Sequence, residues 1–322
     1  MKRGVLLANI GSPEAPTTGA VRAYLQRFLS DPRILGMPAF VRIPLVYGFI
    51  APLRAPKSAA AYRKVWTPAG SPLTVHGEAL AAAIGGVYAT RYGRPTFAEA
   101  IDKLGEVDEI VVLPLFPQYA AATSGSVMDG IGQALAGRPK VPAIRVIPPF
   151  WSDAGFLDAV AAAAKPTIAE TRPDRIVFSF HGLPESQAKA ACERHDSAGA
   201  CCRAQAPSPF CYRAQCVETA RRVASRLGVE GEPIVCFQSR LGPATWIGPS
   251  TLATLDKLAA EGVKRVVVLT PAFVADCLET LEEIGMGARE HFIAKGGEEL
   301  RVAPCVNTHP RWVEAVKQLT AG

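Results

Sequence analysis

Short apolar runs rich in β-branched residues alternate along this chain with longer segments of Ala, Leu and Arg, and this alternation limits the fold more than any single motif does. The runs lie at 5–10, 110–115, 143–147, 175–180, 234–237, 266–269 and 300–302, with a weaker one within 85–92. Helical patterns lie between them, at 20–29, 76–84, 216–227 and 252–260. A strand followed repeatedly by a helical stretch predicts parallel pairing, since a parallel connection needs a crossover long enough to hold a helix. The expected class is therefore α/β.

The chain has 322 residues, 49% of them hydrophobic, which is enough for two domains of moderate size. An internal repeat points the same way. Ile10-Gly11-Ser12-Pro13-Glu14 follows the first strand, as His181-Gly182-Leu183-Pro184-Glu185 follows a later one. Val111-Val112-Leu113-Pro114-Leu115-Phe116 is echoed by Val267-Val268-Leu269-Thr270-Pro271-Ala272-Phe273 with one residue inserted. Two similar Rossmann-like halves, 1–160 and 161–322, are expected, each a parallel sheet flanked by helices. His181 then occupies in one half the place of Ile10 in the other. Both sit at strand C-terminal ends, where open α/β sheets place their ligands, so a cleft with one apolar and one reactive wall is expected.

Several classes are excluded. The net charge of +6 and the pI near 8.9 are a modest basic bias spread along the chain. Basic blocks interleaved with aromatics are lacking, so nucleic acid is not an expected partner. Neither Gly-x-x-x-x-Gly-Lys-Ser/Thr nor Gly-x-Gly-x-x-Gly occurs, so no nucleotide is expected. The first apolar run stops at Gly11-Ser12-Pro13, and no stretch reaches the ~18 apolar residues of a membrane span. A cytoplasmic location follows. Residues 34–66 are apolar, broken by Pro and Gly, and poor in charge. They read either as a buried connector with a short helix or as an apolar lip over a greasy ligand, in peripheral contact with a membrane.

His181 follows Val177-Phe178-Ser179-Phe180 directly and precedes Gly-x-Pro. His76, His195, His291 and His309 lie in polar or helical surroundings and read as ordinary. In the segment 273–283, Asp276, Glu279 and Glu283 are spaced i, i+3, i+7, which on an α-helix puts them on one face. Such a line is either a solvated acidic face or a relay for protons and hydrated cations, like charges raising some of its pKa values. Of eight cysteines, five fall between Cys192 and Cys216. In a reducing compartment, that clustering suggests metal before disulfides.

Taken in series, these segments resemble the ferrochelatase family. Phe178-Ser179-Phe180-His181-Gly182-Leu183-Pro184 is similar to its His motif, and Asp276-x-x-Glu279-Thr280-Leu281-x-Glu283 to its acidic motif. Gln238-Ser239-Arg240-Leu241-Gly242-Pro243-Ala244-Thr245-Trp246 resembles the segment between them. Leu7-Ala8-Asn9-Ile10-Gly11-Ser12-Pro13, Tyr62-Arg63-Lys64-Val65-Trp66, Gly70-Ser71-Pro72-Leu73, Arg91-Tyr92-Gly93 and Pro114-Leu115-Phe116-Pro117-Gln118-Tyr119 match in order.

The resemblance implies a chelatase-like fold whose cleft takes a porphyrin and Fe²⁺. His181 and Glu279 would be the metal pair, with Asp276 and Glu283 continuing the relay. Ile10, Arg91, Tyr119 and Trp246 would contact the macrocycle, and Ser71 and Tyr62 would lie in segments lining the cleft. The chemistry suits these residue types. Metallation removes two pyrrole protons, which imidazole and carboxylates can accept, and apolar walls can hold the ring bent toward the metal. The opening Asn9-Ile10-Gly11-Ser12-Pro13 looks like the protoporphyrin IX branch; coproporphyrin III stays open. A sirohydrochlorin-type chelatase and a non-catalytic haem or iron–sulfur protein are the rival readings.

The resemblance further implies a [2Fe–2S] cluster. Some members carry an internal cysteine segment, and Cys192, Cys201, Cys202 and Cys211 exceed the cluster-free pattern that ends in Tyr212-x-x-Gln215-Cys216. Cys201 and Cys202 are adjacent, so both reach one cluster only if the loop turns sharply; otherwise Cys216 replaces one of them. Zinc and ordinary free thiols are the alternatives. Oligomeric state is not legible.

Overall fold

The structure, a computed structural model, describes residues 2–192, 195, 199, 209–240, 242 and 244–322. Every apolar run becomes a strand. Four parallel strands, β1 (Arg3–Asn9), β2 (Val87–Thr90), β3 (Glu109–Pro114) and β4 (Ala143–Val146), form one sheet in the order β2-β1-β3-β4. Four more, β5 (Arg175–His181), β6 (Ile234–Gln238), β7 (Arg265–Leu269) and β8 (Glu299–Val302), form a second, also parallel, in the order β6-β5-β7-β8. Each order is the other advanced by four, as the repeat of motifs predicts: β1 corresponds to β5 and β3 to β7.

Helices on the sheets explain the unbroken apolar runs. Leu6, Leu7 and Ala8 of β1 and Val266, Val267 and Val268 of β7 are all fully buried, as expected of parallel strands covered on both faces. In both sheets the chain leaves the first strand on one side and returns to its other side, so the order reverses between β1 and β3 and again between β5 and β7. The C-terminal ends flanking such a reversal are where α/β sheets bind ligands. His181 ends β5 and the acidic segment follows β7.

The chain divides into two compact units. One runs up to Leu115 and takes in Ala120–Pro148 and Val316–Gly322; the other comprises Phe116–Tyr119 and Pro149–Ala315. Residue 160, near which the repeat places a boundary, lies inside the helix Ala154–Thr171 of the second unit. Phe156, Leu157 and Val160 bury that helix against its own core.

Residues 34–66 are not a buried connector. A helix at Ala39–Leu45, a π-helical turn at Val46–Ile50 and a helix at Ala51–Val65 follow without a break. One side is buried through Val46, Ala51, Ala55 and Ala59, whereas Phe40, Leu53 and Phe49 are 81%, 77% and 63% exposed. Arg42 is buried beneath, and its guanidinium donates to the carbonyls of Ser30, Leu35 and Met37. The wider turn is marked by the Ala51 N–H bonding the Val46 carbonyl, five residues back.

Candidate active site

His181 is the last residue of β5 and is paired in register with Gln238, the last of β6. Beneath it Ser179 is fully buried and donates its hydroxyl to Gln238 Oε1 at 2.7 Å, with Thr251 Oγ1 2.8 Å away. Gln238 in turn donates Nε2 to the Glu279 carbonyl at 2.9 Å. One glutamine thus joins the end of β5, through Ser179, to the start of the acidic segment.

The imidazole is oriented by its own neighbour. His181 Nδ1 lies 2.6 Å from the Gly182 carbonyl oxygen. A carbonyl can only accept, so Nδ1 carries a proton, and in the neutral ring the lone pair is on Nε2. The His181 carbonyl accepts from Tyr212 Oη at 2.7 Å. Gly182 donates its N–H to the Gln238 carbonyl at 2.7 Å. A Cβ at Gly182 would lie 2.9 Å from that carbonyl oxygen and 3.2 Å from the Trp246 ring, so only glycine fits. Trp246 is held alongside by a bridge to Pro184 and by the Ile247 N–H donating to Leu183.

The acidic segment differs from the expected α-helical face. Residues Glu279–Ala288 are π-helical, with Arg289 N–H bonding the Ile284 carbonyl five residues back. Glu283 is in electrostatic contact with Glu279, four residues before it, and with His181. Asp276 precedes the helix, so the i, i+3, i+7 line is not formed. Its carboxylate accepts from the Cys305 N–H at 3.0 Å and from Asn307 Nδ2 at 2.7 Å, while its own N–H donates to Asn307 Oδ1 at 2.8 Å. A short carboxylate beside exposed backbone donors binds them before it continues a helix.

Glu283 accepts from both the backbone N–H of Ser239, at 2.7 Å, and the Ser239 hydroxyl. Ser239 reaches it from a left-handed conformation, φ 61°. Burial pushes the Glu283 carboxyl above its ordinary value; the Ser239 bonds oppose this, the Glu279 charge adds to it, and His181 opposes it. Glu283 therefore holds a proton at higher pH than an ordinary carboxyl. Ser239→Ala removes one donor that favours the charged form, so the pKa should rise further. As pH falls, Glu283 would then protonate sooner, and the acid limb of the pH–rate profile should move to higher pH. An unmoved limb would show that Glu283 does not titrate in turnover.

The first unit carries other expected residues. Ile10, just after β1, is half-buried, with its N–H on Asn9 Oδ1 at 2.8 Å and its carbonyl accepting from the Tyr92 N–H at 3.0 Å. Ser71 is buried before the helix Pro72–Ala83. Arg91 donates to Ser126 Oγ at 3.0 Å, Gln133 Oε1 at 3.2 Å and Asp31 Oδ2 at 3.2 Å. Asp31 also accepts from Tyr92 Oη and Ser126 Oγ, each at 2.7 Å. Burial acts to raise the Asp31 carboxyl, but the Ser126 and Tyr92 bonds and the Arg91 charge outweigh it and hold it below the ordinary range. In the second unit, Tyr119 donates its N–H to Gln215 Oε1 at 2.7 Å, and its ring meets Phe210 edge-on at 5.1 Å.

Asp31 carries no signal in the sequence, and Tyr212 and Gln215 stand in the pattern that ends the cysteine loop. Gln238 and Ser239 stand inside a matched motif, but nothing in spacing shows that they bridge to residues about forty positions away.

Cys192, half-buried, packs against Cys211 and Ala214. Cys201 and Cys202 lie outside the described residues. Cys216 is fully buried on the helix Tyr212–Leu227. His195, three residues after Cys192, meets the Glu185 carboxylate through Nε2. Among the described residues, no three His, Cys, Asp or Glu groups are placed to hold a metal ion together.

Two parallel sheets of one order, with ligand-type side chains at the strand ends beside the reversal, define a chelatase-type α/β protein. The fold is similar to that of SirB from Bacillus subtilis with Fe³⁺, at a TM-score of 0.54 and 15% identity, covering 100% of this chain and 96% of that one. In sequence, the ferrochelatase family profile matches residues 2–322. A ferrochelatase of Coxiella burnetii is 39% identical over 335 residues, 99% of this chain and 93% of the relative. One of Azoarcus sp. is 42% identical over 334 residues, 98% and 86% respectively. The chain belongs to the ferrochelatase family and is an enzyme, a metal chelatase of haem biosynthesis.

Proposed function

We propose that this chain is a lyase that inserts Fe²⁺ into protoporphyrin IX, giving protohaem and two protons. The observation that supports the reading is that Glu283 is in electrostatic contact both with His181, at the C-terminal end of β5, and with Glu279. His181 Nε2, with its lone pair available, accepts a pyrrole proton or ligates the incoming iron. Glu279 is its partner in the metal pair. Glu283, with its raised carboxyl, exchanges protons nearer neutrality than an ordinary glutamate. Asp276 continues the acidic run along the chain, oriented by Cys305 and Asn307. Within the second unit Tyr119 and Trp246 offer aromatic contact for a macrocycle; the resemblance assigns apolar contact to Ile10 and polar contact to Ser71 and Arg91 of the first unit. The test is an insertion assay with Fe²⁺ and, separately, protoporphyrin IX, coproporphyrin III and sirohydrochlorin. Turnover highest with protoporphyrin IX supports the reading; turnover confined to either other ring overturns the substrate assignment.

We further propose a [2Fe–2S] cluster held by Cys192, Cys201, Cys202 and Cys211. The donor chemistry fits, since soft thiolates suit iron–sulfur centres. In support, Cys192 packs against the small apolar cluster of Cys211 and Ala214. Bound there, the cluster would supply a one-electron redox centre. Cys216 is the weaker candidate, because burial pushes its thiol well above the ordinary value although Tyr212 opposes this. Purified protein should be reddish-brown, with two irons and two acid-labile sulfides per chain. Serine replacement should bleach it at Cys192, Cys201, Cys202 and Cys211 and spare Cys216. Colourless protein from iron-replete anaerobic expression, with zinc or no metal, would refute the cluster alone.

We place the chain in the cytoplasm with peripheral membrane contact. No helix among the described residues is long and apolar enough to cross a membrane. Phe40, Phe49 and Leu53 form the exposed apolar surface offered for contact. Co-sedimentation with anionic vesicles should fall when Phe40 and Phe49 are both replaced by Asp; binding unchanged by that double substitution would refute the contact.

A further inference from the structure

We infer that Tyr212 and Gln215, on the first turn of the helix Tyr212–Leu227, are positioning residues for metal insertion, one acting through His181 and the other through Tyr119. The inference rests on the reading of His181 as metal ligand and Tyr119 as a macrocycle contact. All the groups involved lie in the second unit.

Tyr212 is buried, and its hydroxyl reaches back 31 residues to the carbonyl of His181 at 2.7 Å. That carbonyl belongs to the ligand residue itself, at the point where β5 ends and ladder hydrogen bonding gives out. Without a donor there, the main chain of His181 keeps its register with Gln238 but loses a restraint on the peptide that carries the ring to Gly182. The Gly182 carbonyl is the acceptor for His181 Nδ1, so movement of this peptide would turn the imidazole as well as shift it.

Gln215 is fully buried and uses both ends of its amide. Oε1 accepts from the Tyr119 N–H at 2.7 Å, and Nε2 donates to the Pro209 carbonyl at 2.9 Å. A buried amide with each end on a different backbone segment fixes both segments and tolerates loss of neither partner. Three residues apart on a helix, Tyr212 and Gln215 share a side of it. A single helical turn therefore holds two functional segments of the chain distant in sequence. The same turn begins at Cys211, which directly precedes Tyr212 and packs against Cys192. The cysteine segment is thereby joined through one peptide bond to the side chain that restrains His181.

A general loss of packing would weaken every kinetic parameter together, whereas two positioning roles separate them. Tyr212→Phe should lower kcat about ten- to a hundredfold, as expected when a reacting group is displaced by a fraction of an ångström to an ångström, with KM for protoporphyrin IX unchanged. Gln215→Met should raise KM for protoporphyrin IX several-fold with a smaller effect on kcat. Gln215→Glu, whose carboxyl when protonated supplies both an acceptor for the Tyr119 N–H and a donor for the Pro209 carbonyl, as burial favours, should restore KM toward the wild-type value. Melting temperature is recorded for each variant, and His181→Ala runs in parallel. If His181→Ala is inactive while Tyr212→Phe keeps wild-type kcat, or if Tyr212→Phe and Gln215→Met shift kcat and KM alike, the inference fails and the metal-site reading stands. If His181→Ala retains turnover, that reading fails first. Should Tyr212→Phe not fold, the KM response of Gln215→Met and its reversal by Gln215→Glu decide the matter.

Discussion

His181→Ala is expected to abolish iron insertion while leaving protoporphyrin binding largely intact. The imidazole has its Nδ1 proton committed to the Gly182 carbonyl, so Nε2 is the atom left for chemistry, and alanine replaces it with nothing that accepts a proton or ligates iron. Proton transfer by a placed side chain contributes about 10²- to 10⁴-fold; a residue that also ligates the metal should stand at the upper end. On the proposed reading the macrocycle would be held by apolar and aromatic contact and would not depend on this ring. The measurement is steady-state turnover with Fe²⁺ beside porphyrin affinity from fluorescence quenching. Near-normal turnover would remove His181 from the site, and lost porphyrin affinity would make it a binding residue instead.

Glu279→Gln should be nearly as severe, with a fall of about 10²-fold or more. The substitution keeps the volume and removes a charge and a proton acceptor. The Glu279 backbone carbonyl still accepts from Gln238 Nε2, so the start of the π-helical segment stays in place. Removing the charge has a second consequence. Glu279 is one of the groups holding the Glu283 carboxyl up, so in the variant Glu283 should lose its proton at lower pH. The acid limb of the residual activity should then move to lower pH, opposite to the effect of Ser239→Ala. Opposite shifts in the two variants would show that Glu283 titrates during turnover. A Glu279→Gln enzyme with wild-type kcat would place the metal pair elsewhere.

The strands were legible for a simple reason. In a parallel sheet covered on both faces, a strand reads as a near-continuous apolar run, so runs such as 110–115 and 266–269 stand out against the helical segments between them. Their order was legible only in part. The paired motifs at Ile10 and His181, and at Pro114 and Pro271, foreshadowed two sheets of like construction, yet neither pair states that β1 lies between β2 and β3. The acidic segment was misread because the spacing of Asp276, Glu279 and Glu283 suits an α-helix, while Asn307 and the Cys305 N–H, about thirty residues downstream, capture the Asp276 carboxylate. Residues 34–66 were ambiguous because an apolar segment is equally at home in a core and on an exposed lip, and only neighbours decide which.

What the sequence determined by itself was local or periodic. It set the eight strands, the placement of His181 at the end of one of them, the clustering of thiols after it and, through motifs met in series, the family. Tertiary structure alone decided which side chains hold those residues in working orientation. Tyr212 on the His181 carbonyl, Ser239 on Glu283, Gln238 between Ser179 and Glu279, and Asp31 beneath Arg91 are each contacts across tens of residues. No periodicity encodes such a contact, because it depends on where two separately folded segments end relative to each other. The same holds for the raised carboxyl of Glu283. Its residue type is written in the chain, but its proton affinity comes from the burial and the neighbouring charges that folding brings to it.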